Sequence, residues 1–135
     1  MLPFRLSFQP GHPIYEQVVY AAKKAILSGV LAPGERFPSV RALSQGLKIN
    51  PSTAHKVVGE LVAEGLLEVH STLGTIVTER TQVAGRERAK LLNTQIEQLV
   101  VEAKTLGIEL DDVLERLTRY WNQLEPGATP VRVKP

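Results

Sequence analysis

Residues 49–58 read INPSTAHKVV. Ser52 and Thr53 supply hydroxyls, His55 an imidazole and Lys56 an ammonium. Asn50 suits a helix N-cap and Pro51 a first helical position, so these groups gather at the start of a helix. Free backbone N–H groups and the positive end of the helix dipole lie there, and both favour anions. Ala54, Val57 and Val58 fall on the opposite side, which turns Ser52, Thr53, His55 and Lys56 outward. The chemistry on offer is hydrogen bonding and charge pairing at close approach. Small hydroxyl side chains donate or accept, a neutral imidazole donates once, and an ammonium adds a point charge.

Bond-making chemistry finds no matching constellation. His12, His55 and His70 lie on different elements, and no short His/Asp/Glu spacing resembles a metal site. His70 and Ser71 are neighbours on an extended stretch, so their side chains point to opposite faces. Pro33–Arg36, PGER, opens no phosphate loop. The chain has no cysteine, which excludes disulfides and thiolate chemistry and suits a reducing cytoplasm. No enzymatic activity, metal or cofactor is expected.

The 135 residues are enough for one domain with an appendage, and 43 % of them are hydrophobic, as a globular core requires. The N-terminal MLPFRLSF lacks the apolar stretch of a signal peptide, and no run approaches the ~18 residues of a membrane span. A cytoplasmic protein without membrane contact is expected. The net charge is +2; residues 1–80 carry eight Lys/Arg against six Asp/Glu, and residues 81–135 carry eight of each. A polyanion therefore meets the first part more readily.

The elements that position these groups follow from periodicity and breakers. Residues 1–12 are turn-rich and extended. Ile14, Val18, Ala21, Ala22, Ala25 and Ile26 form one face of a helix over 14–28, which Gly29 ends. Pro33-Gly34 marks a turn, and 35–37 suits a short strand. Ser39 caps a second helix with Val40, Leu43, Ser44 and Leu47 along one side. The third helix starts at Asn50 and runs to about Glu64, and LLEVH and TIVTE then make a hairpin. Three helices and a hairpin, with a very short link between helices two and three, predict a winged helix-turn-helix over 1–80.

Residues 81–88 read as a hinge or a helix start. Leu92, Ile96, Leu99, Ala103 and Leu106 then share a stripe, and a second helix over about 110–124 carries Leu114, Leu117 and Trp121 on one face. Two helices cannot build a core alone, so 81–125 is predicted to be a two-helix dimerisation region through these eight residues. The alternative is a hairpin of helices packed on the winged domain of the same chain. Residues 126–135, rich in proline, read as a loose tail. The fold class expected is mainly α with one small β-hairpin.

Four stretches carry a resemblance: PIYEQ (13–17), ILSGVLAPGERFPSVRALSQGL (26–47), INPSTAHKVVGELVAEGLL (49–67) and GTIV (74–77). Together they resemble the GntR family of bacterial transcription regulators. The short C-terminal part, with VEAKTLGIELDDVLERL (101–117), is similar to the YtrA-type subfamily. The resemblance implies a homodimeric regulator of double-stranded operator DNA, usually a repressor, often of genes for an ABC-type transporter. It implies phosphate contacts from Arg36 and Arg41, in the element GERFPSVR, and a wing-tip contact near Gly74 and Thr75. Ser39 is a cap first and a phosphate ligand second, and Asn50 joins the interface at the start of helix three. Arg36 could instead pair with a carboxylate of its own domain.

Two positions depart from the family. His55 stands where arginine is common, which removes a guanidinium fork and lessens guanine-directed readout by that side chain, although a neutral imidazole still donates one hydrogen bond to phosphate or to a purine acceptor. Thr72 stands at the first glycine of the usual basic Gly-x-Gly tip, with no Lys or Arg between His70 and Gly74. These departures favour a second reading, a winged-helix module for protein interaction with weak or lost DNA binding. Any small-molecule effector is expected in a small pocket around Leu99, Leu117 and Trp121.

Overall fold

The computed structural model describes residues 2–79 and 88–125. The expected hinge at 81–88 and tail at 126–135 lie outside these residues, except for Arg88. The chain divides into two compact units, the first through residue 81 and the second over 82–123.

The first unit holds α1 (Ile14–Leu27), α2 (Val40–Leu47), α3 (Pro51–Ala63), β1 (Leu67–His70) and β2 (Gly74–Val77). β1 and β2 pair antiparallel, with Leu67 opposite Val77 and His70 opposite Gly74. The segment before α2 adds a partial third strand. Arg36 bridges Ile76, and the Phe37 N–H donates to the Thr75 carbonyl at 2.8 Å. This is the expected mainly α winged helix-turn-helix with its hairpin.

One core holds the unit together. Val18, Ala22 and Ala25 of α1, Leu43 of α2, and Ala54, Val57 and Leu61 of α3 meet Leu67 and Val77 of the hairpin and Leu31 and Phe37 of the loop. Val58 and Val62 are only half buried at its margin. The inward face of α1 is rotated from expectation. Ile14 is 47 % exposed, whereas Tyr15 packs on the core. Pro13 is the N-cap of α1.

Residues 2–9 form an arm that lies on this core. Leu2, Phe4 and Leu6 pack against it, and Phe4 stacks on Phe37 with ring centroids 6.2 Å apart. Gln17 fastens the arm. Its Oε1 accepts from the Gln9 N–H at 2.9 Å, and its Nε2 donates to the carbonyls of Gln9 and His12 at 3.0 Å.

In the second unit a π-helical stretch, Lys90–Gln95, runs into α4 (Ile96–Thr105). Gly107, at φ +71°, turns the chain toward α5 (Leu110–Gln123). Asp111 and Asp112 occupy the first turn of α5, where they complement the helix dipole. The turn is closed by the Ile108 N–H on the Ala103 carbonyl, and Ala103 is buried. The other seven residues expected at a dimer seam are at least 39 % exposed, from Leu99 at 39 % to Leu106 at 74 %. No described helix is long and apolar enough to cross a membrane.

Candidate nucleic-acid interface

The geometry of the α2–α3 corner begins with two caps. Ser39 Oγ accepts from the Ala42 N–H at 3.0 Å, which starts α2. Asn50 Oδ1 accepts from the Ser52 N–H at 2.8 Å and from the Ser52 hydroxyl at 2.7 Å, which starts α3. The second bond matters for recognition. It uses the only hydroxyl proton of Ser52, so Ser52 faces a ligand as an acceptor. Asn50 keeps both amide protons for donation. The two residues thus divide the roles that sequence alone left open.

Between the helices, Lys48 adopts a left-handed conformation at φ 56°. A side chain there has a steric cost that glycine would not have. The corner is held by Ser44, the one buried polar residue among those described. Its hydroxyl donates to the Ile49 carbonyl at 2.6 Å, and the Ile49 N–H returns to the Ser44 carbonyl at 3.0 Å. Sequence reading placed Ser44 on the apolar side of α2 without assigning it this task. Nothing in a lone serine distinguishes a latch from a small core residue.

On α3, Ser52, His55 and Lys56 are exposed and Thr53 is half buried, with Ala54 and Val57 beneath them. Arg41 is exposed in the first turn of α2, and Arg36 is exposed beside the hairpin. Among the described residues no carboxylate lies within ion-pair reach of either arginine, so the own-domain partner considered for Arg36 is not present. The Arg36–Ile76 bridge and the Phe37–Thr75 bond also tie Arg36 to the root of the wing and bring it next to Thr75.

At the wing tip Gly74 sits at φ +81°, a conformation L side chains rarely adopt, which accounts for glycine at that position. Ser71, Thr72 and Leu73 are exposed, and none carries charge. His70 Nε2 lies 3.0 Å from Glu68 Oε2 on the same face of β1.

Lys56 is not a free charge. Its Nζ lies over the ring of Tyr15, 4.5 Å from the centroid. Partial burial of the ring, a hydrogen bond to Glu60, and the charges of Glu60, Glu64 and Glu16 push the Tyr15 phenol above its ordinary range. Lys23 of α1 pairs with Glu64, the cap residue of α3, at 2.5 Å. Tyr15 escaped sequence reading because its partners lie some forty residues further along the chain.

Among the described residues no group of His, Cys, Asp and Glu could hold a metal ion. An open cavity of about 660 Å³ lies beside the arm, lined by Leu2, Arg36, Phe37, Ala42 and Gln45 among others. Its lining belongs to the first unit, whereas the expected effector residues belong to the second. Of those, Leu99, Leu117 and Trp121 are 39 %, 51 % and 73 % exposed.

The family model for bacterial regulatory proteins of the gntR family matches residues 14–77, from the first residue of α1 to the last of β2. The transcriptional repressor YtrA of Bacillus subtilis (strain 168) is 35 % identical over 104 residues, which cover 76 % of this chain and 80 % of that protein. A solved structure described as a transcriptional antiterminator from Listeria monocytogenes EGD-e aligns at a TM-score of 0.80 with 22 % identity, over 98 % of this chain and 97 % of its own. YtrA from Sulfolobus acidocaldarius, described as a GntR-family transcription factor, aligns at 0.51 with 23 % identity, over 89 % and 97 %. At these identities the two structures speak for the fold, while the Bacillus relative carries the family. The chain belongs to the GntR family of bacterial regulatory proteins, as a YtrA-type transcription regulator and not an enzyme.

Proposed function

We propose that the chain binds an operator duplex as a homodimer and represses the genes beside it, with an ABC-type transporter among their products. The carrying observation is the exposed start of α3, where Asn50, Ser52, His55 and Lys56 stand beyond a buried floor of Ala54 and Val57. A helix of this kind enters the major groove by its N-terminal end. Ser52, as an acceptor, suits the exocyclic amines of adenine or cytosine, and Asn50 donates to phosphate. Thr53 lets the helix approach closely. His55 supplies a single hydrogen bond. Lys56, Arg41 and Arg36 neutralise phosphates and fix the register without reading sequence. Ser39, engaged as a cap, adds at most a secondary contact. Gly74 and Thr75 approach the minor groove through backbone alone, so the wing adds little to affinity.

The exposed apolar side chains of Leu92, Ile96, Leu99, Leu106, Leu114, Leu117 and Trp121 support the dimer, because two helices that leave so many large apolar side chains in solvent are unusual in a monomer. Two copies place two recognition helices on half-sites about one helical turn apart, ~34 Å. Repression is supported by the likeness to the Bacillus repressor. Footprinting of the DNA upstream of the chain's own gene tests this reading. It predicts two protected half-sites related by a two-fold axis; no protected region at saturating protein would refute it.

One observation favours the second reading, a protein-interaction module. The wing tip is uncharged, and its Leu73 is 49 % exposed. Under that reading the wild type and an Arg41→Ala/Lys56→Ala variant bind the operator equally poorly.

A further inference from the structure

We infer that Tyr15 is a positioning residue for DNA binding, holding the Lys56 ammonium over its ring so that it meets the phosphate backbone already ordered. The inference rests on the reading of Lys56 as a phosphate contact.

Lys56, Glu60 and Glu64 follow one another at intervals of four, so they share one stripe of α3. Tyr15 and Lys23 are two turns apart on α1 and face that stripe. Tyr15 meets Lys56, and Lys23 meets Glu64. The pairs advance together along both helices, so α1 and α3 start at the same end of the unit. Lys56 and Tyr15 are therefore at the end where the capped start of α3 is exposed. The phenol ring has two jobs. Its body packs on the core, which fixes the plane, and its face holds the ammonium at 4.5 Å, within the range of a cation–π contact. An aromatic face holds a cation without neutralising it, unlike a carboxylate, so the charge remains available to phosphate. A free lysine must give up much rotamer freedom on binding; one already held gives up less.

The experiment compares wild type, Tyr15→Phe, Tyr15→Leu, Lys56→Met and the Tyr15→Leu/Lys56→Met double variant, with the full chain and the footprinted operator over a salt series. Lys56→Met is expected to weaken binding and lower the salt slope by about one. Tyr15→Leu is expected to weaken binding about two- to fivefold, and this loss is expected to vanish in the Lys56→Met background. Tyr15→Phe, which keeps the ring, is expected to bind as wild type. Without DNA, the Lys56 ε-methylene proton signals are expected upfield from ring current in wild type and Tyr15→Phe, and unshifted in Tyr15→Leu. A Tyr15→Leu loss that persists undiminished in the Lys56→Met background marks a merely structural role and overturns the inference. Unshifted ε-methylene signals in wild type, or tighter binding by Tyr15→Leu, overturn it as well. Operator binding unchanged in Lys56→Met overturns the Lys56 phosphate contact, and with it the inference, while the methylene shifts report separately whether the ammonium sits on the ring.

Discussion

Replacing Ser44 by alanine tests how the corner between α2 and α3 is held. The substitution removes a hydroxyl 2.6 Å from the Ile49 carbonyl, in a residue that is 9 % exposed and against another that is 9 % exposed. Water cannot readily replace the lost donor. The Ile49 carbonyl has no other partner in the turn, so it bears the cost of a buried acceptor left unpaired, about 1–3 kcal/mol. In a unit of this size each kcal/mol lowers Tm by about 4–8 °C, so the fall should be at least ~4 °C. Thermal unfolding by circular dichroism reads it, at one fixed protein concentration because association makes Tm concentration-dependent. Ser7→Ala, which removes an exposed hydroxyl, is the matched control and should change stability by less than about 0.5 kcal/mol. The corner also sets the angle of α3 to α2, so operator affinity should fall in Ser44→Ala at temperatures where it is folded. A Tm within 1 °C of wild type, on the order of the control, would refute the latch.

Other substitutions separate the remaining parts of the account. Leu61→Ala empties a fully buried site between α3 and the rest of the core and should cost about 2–5 kcal/mol, read by urea unfolding. Gln17→Ala removes three hydrogen bonds that fasten the N-terminal arm, so amide exchange at Gln9 and proteolysis within residues 2–9 should both accelerate. Leu99→Asp/Leu117→Asp puts charge on the exposed apolar face; sedimentation should show a dimer converted to monomer, and an unchanged dimer would place the interface elsewhere.

Much of this fold was legible because its signals are local. Asn50-Pro51 announces the start of α3 by cap chemistry, and Ser39 does so for α2; both caps are made as read. Gly29 follows α1 at positive φ, as a breaker at that place implies. Signals that depend on distant partners were lost. The face of α1 is set by what α3 presents, so periodicity favoured Ile14 while tertiary packing turned Tyr15 inward. Leu2, Phe4 and Leu6 alternate as an extended segment packed on one side does, but a turn-rich start hid the pattern. The π-helical stretch at Lys90–Gln95 has more residues per turn than the α-helix whose period placed Leu92 on the stripe. The left-handed Lys48 could not be read at all, since lysine carries no preference for that conformation. At the proposed interface, the residue types and the outward directions of Ser52, His55 and Lys56 were legible, whereas Thr53, expected outward, is half buried. The division of donor and acceptor between Asn50 and Ser52, and the seat of Lys56, depend on contacts that only the folded chain brings together.

In the proposed function, the exposed start of α3, with Arg36 and Arg41, makes this chain a sequence-specific reader of duplex DNA. The most direct test is the affinity of the full chain for its footprinted operator and for an unrelated duplex, across a salt series. The account predicts that the operator is bound about a thousandfold or more tighter at physiological salt. It also predicts that affinity falls linearly with salt on a log–log plot, and that Arg41→Ala/Lys56→Ala lowers the slope by about two. Equal affinity for both duplexes at every salt concentration would contradict it.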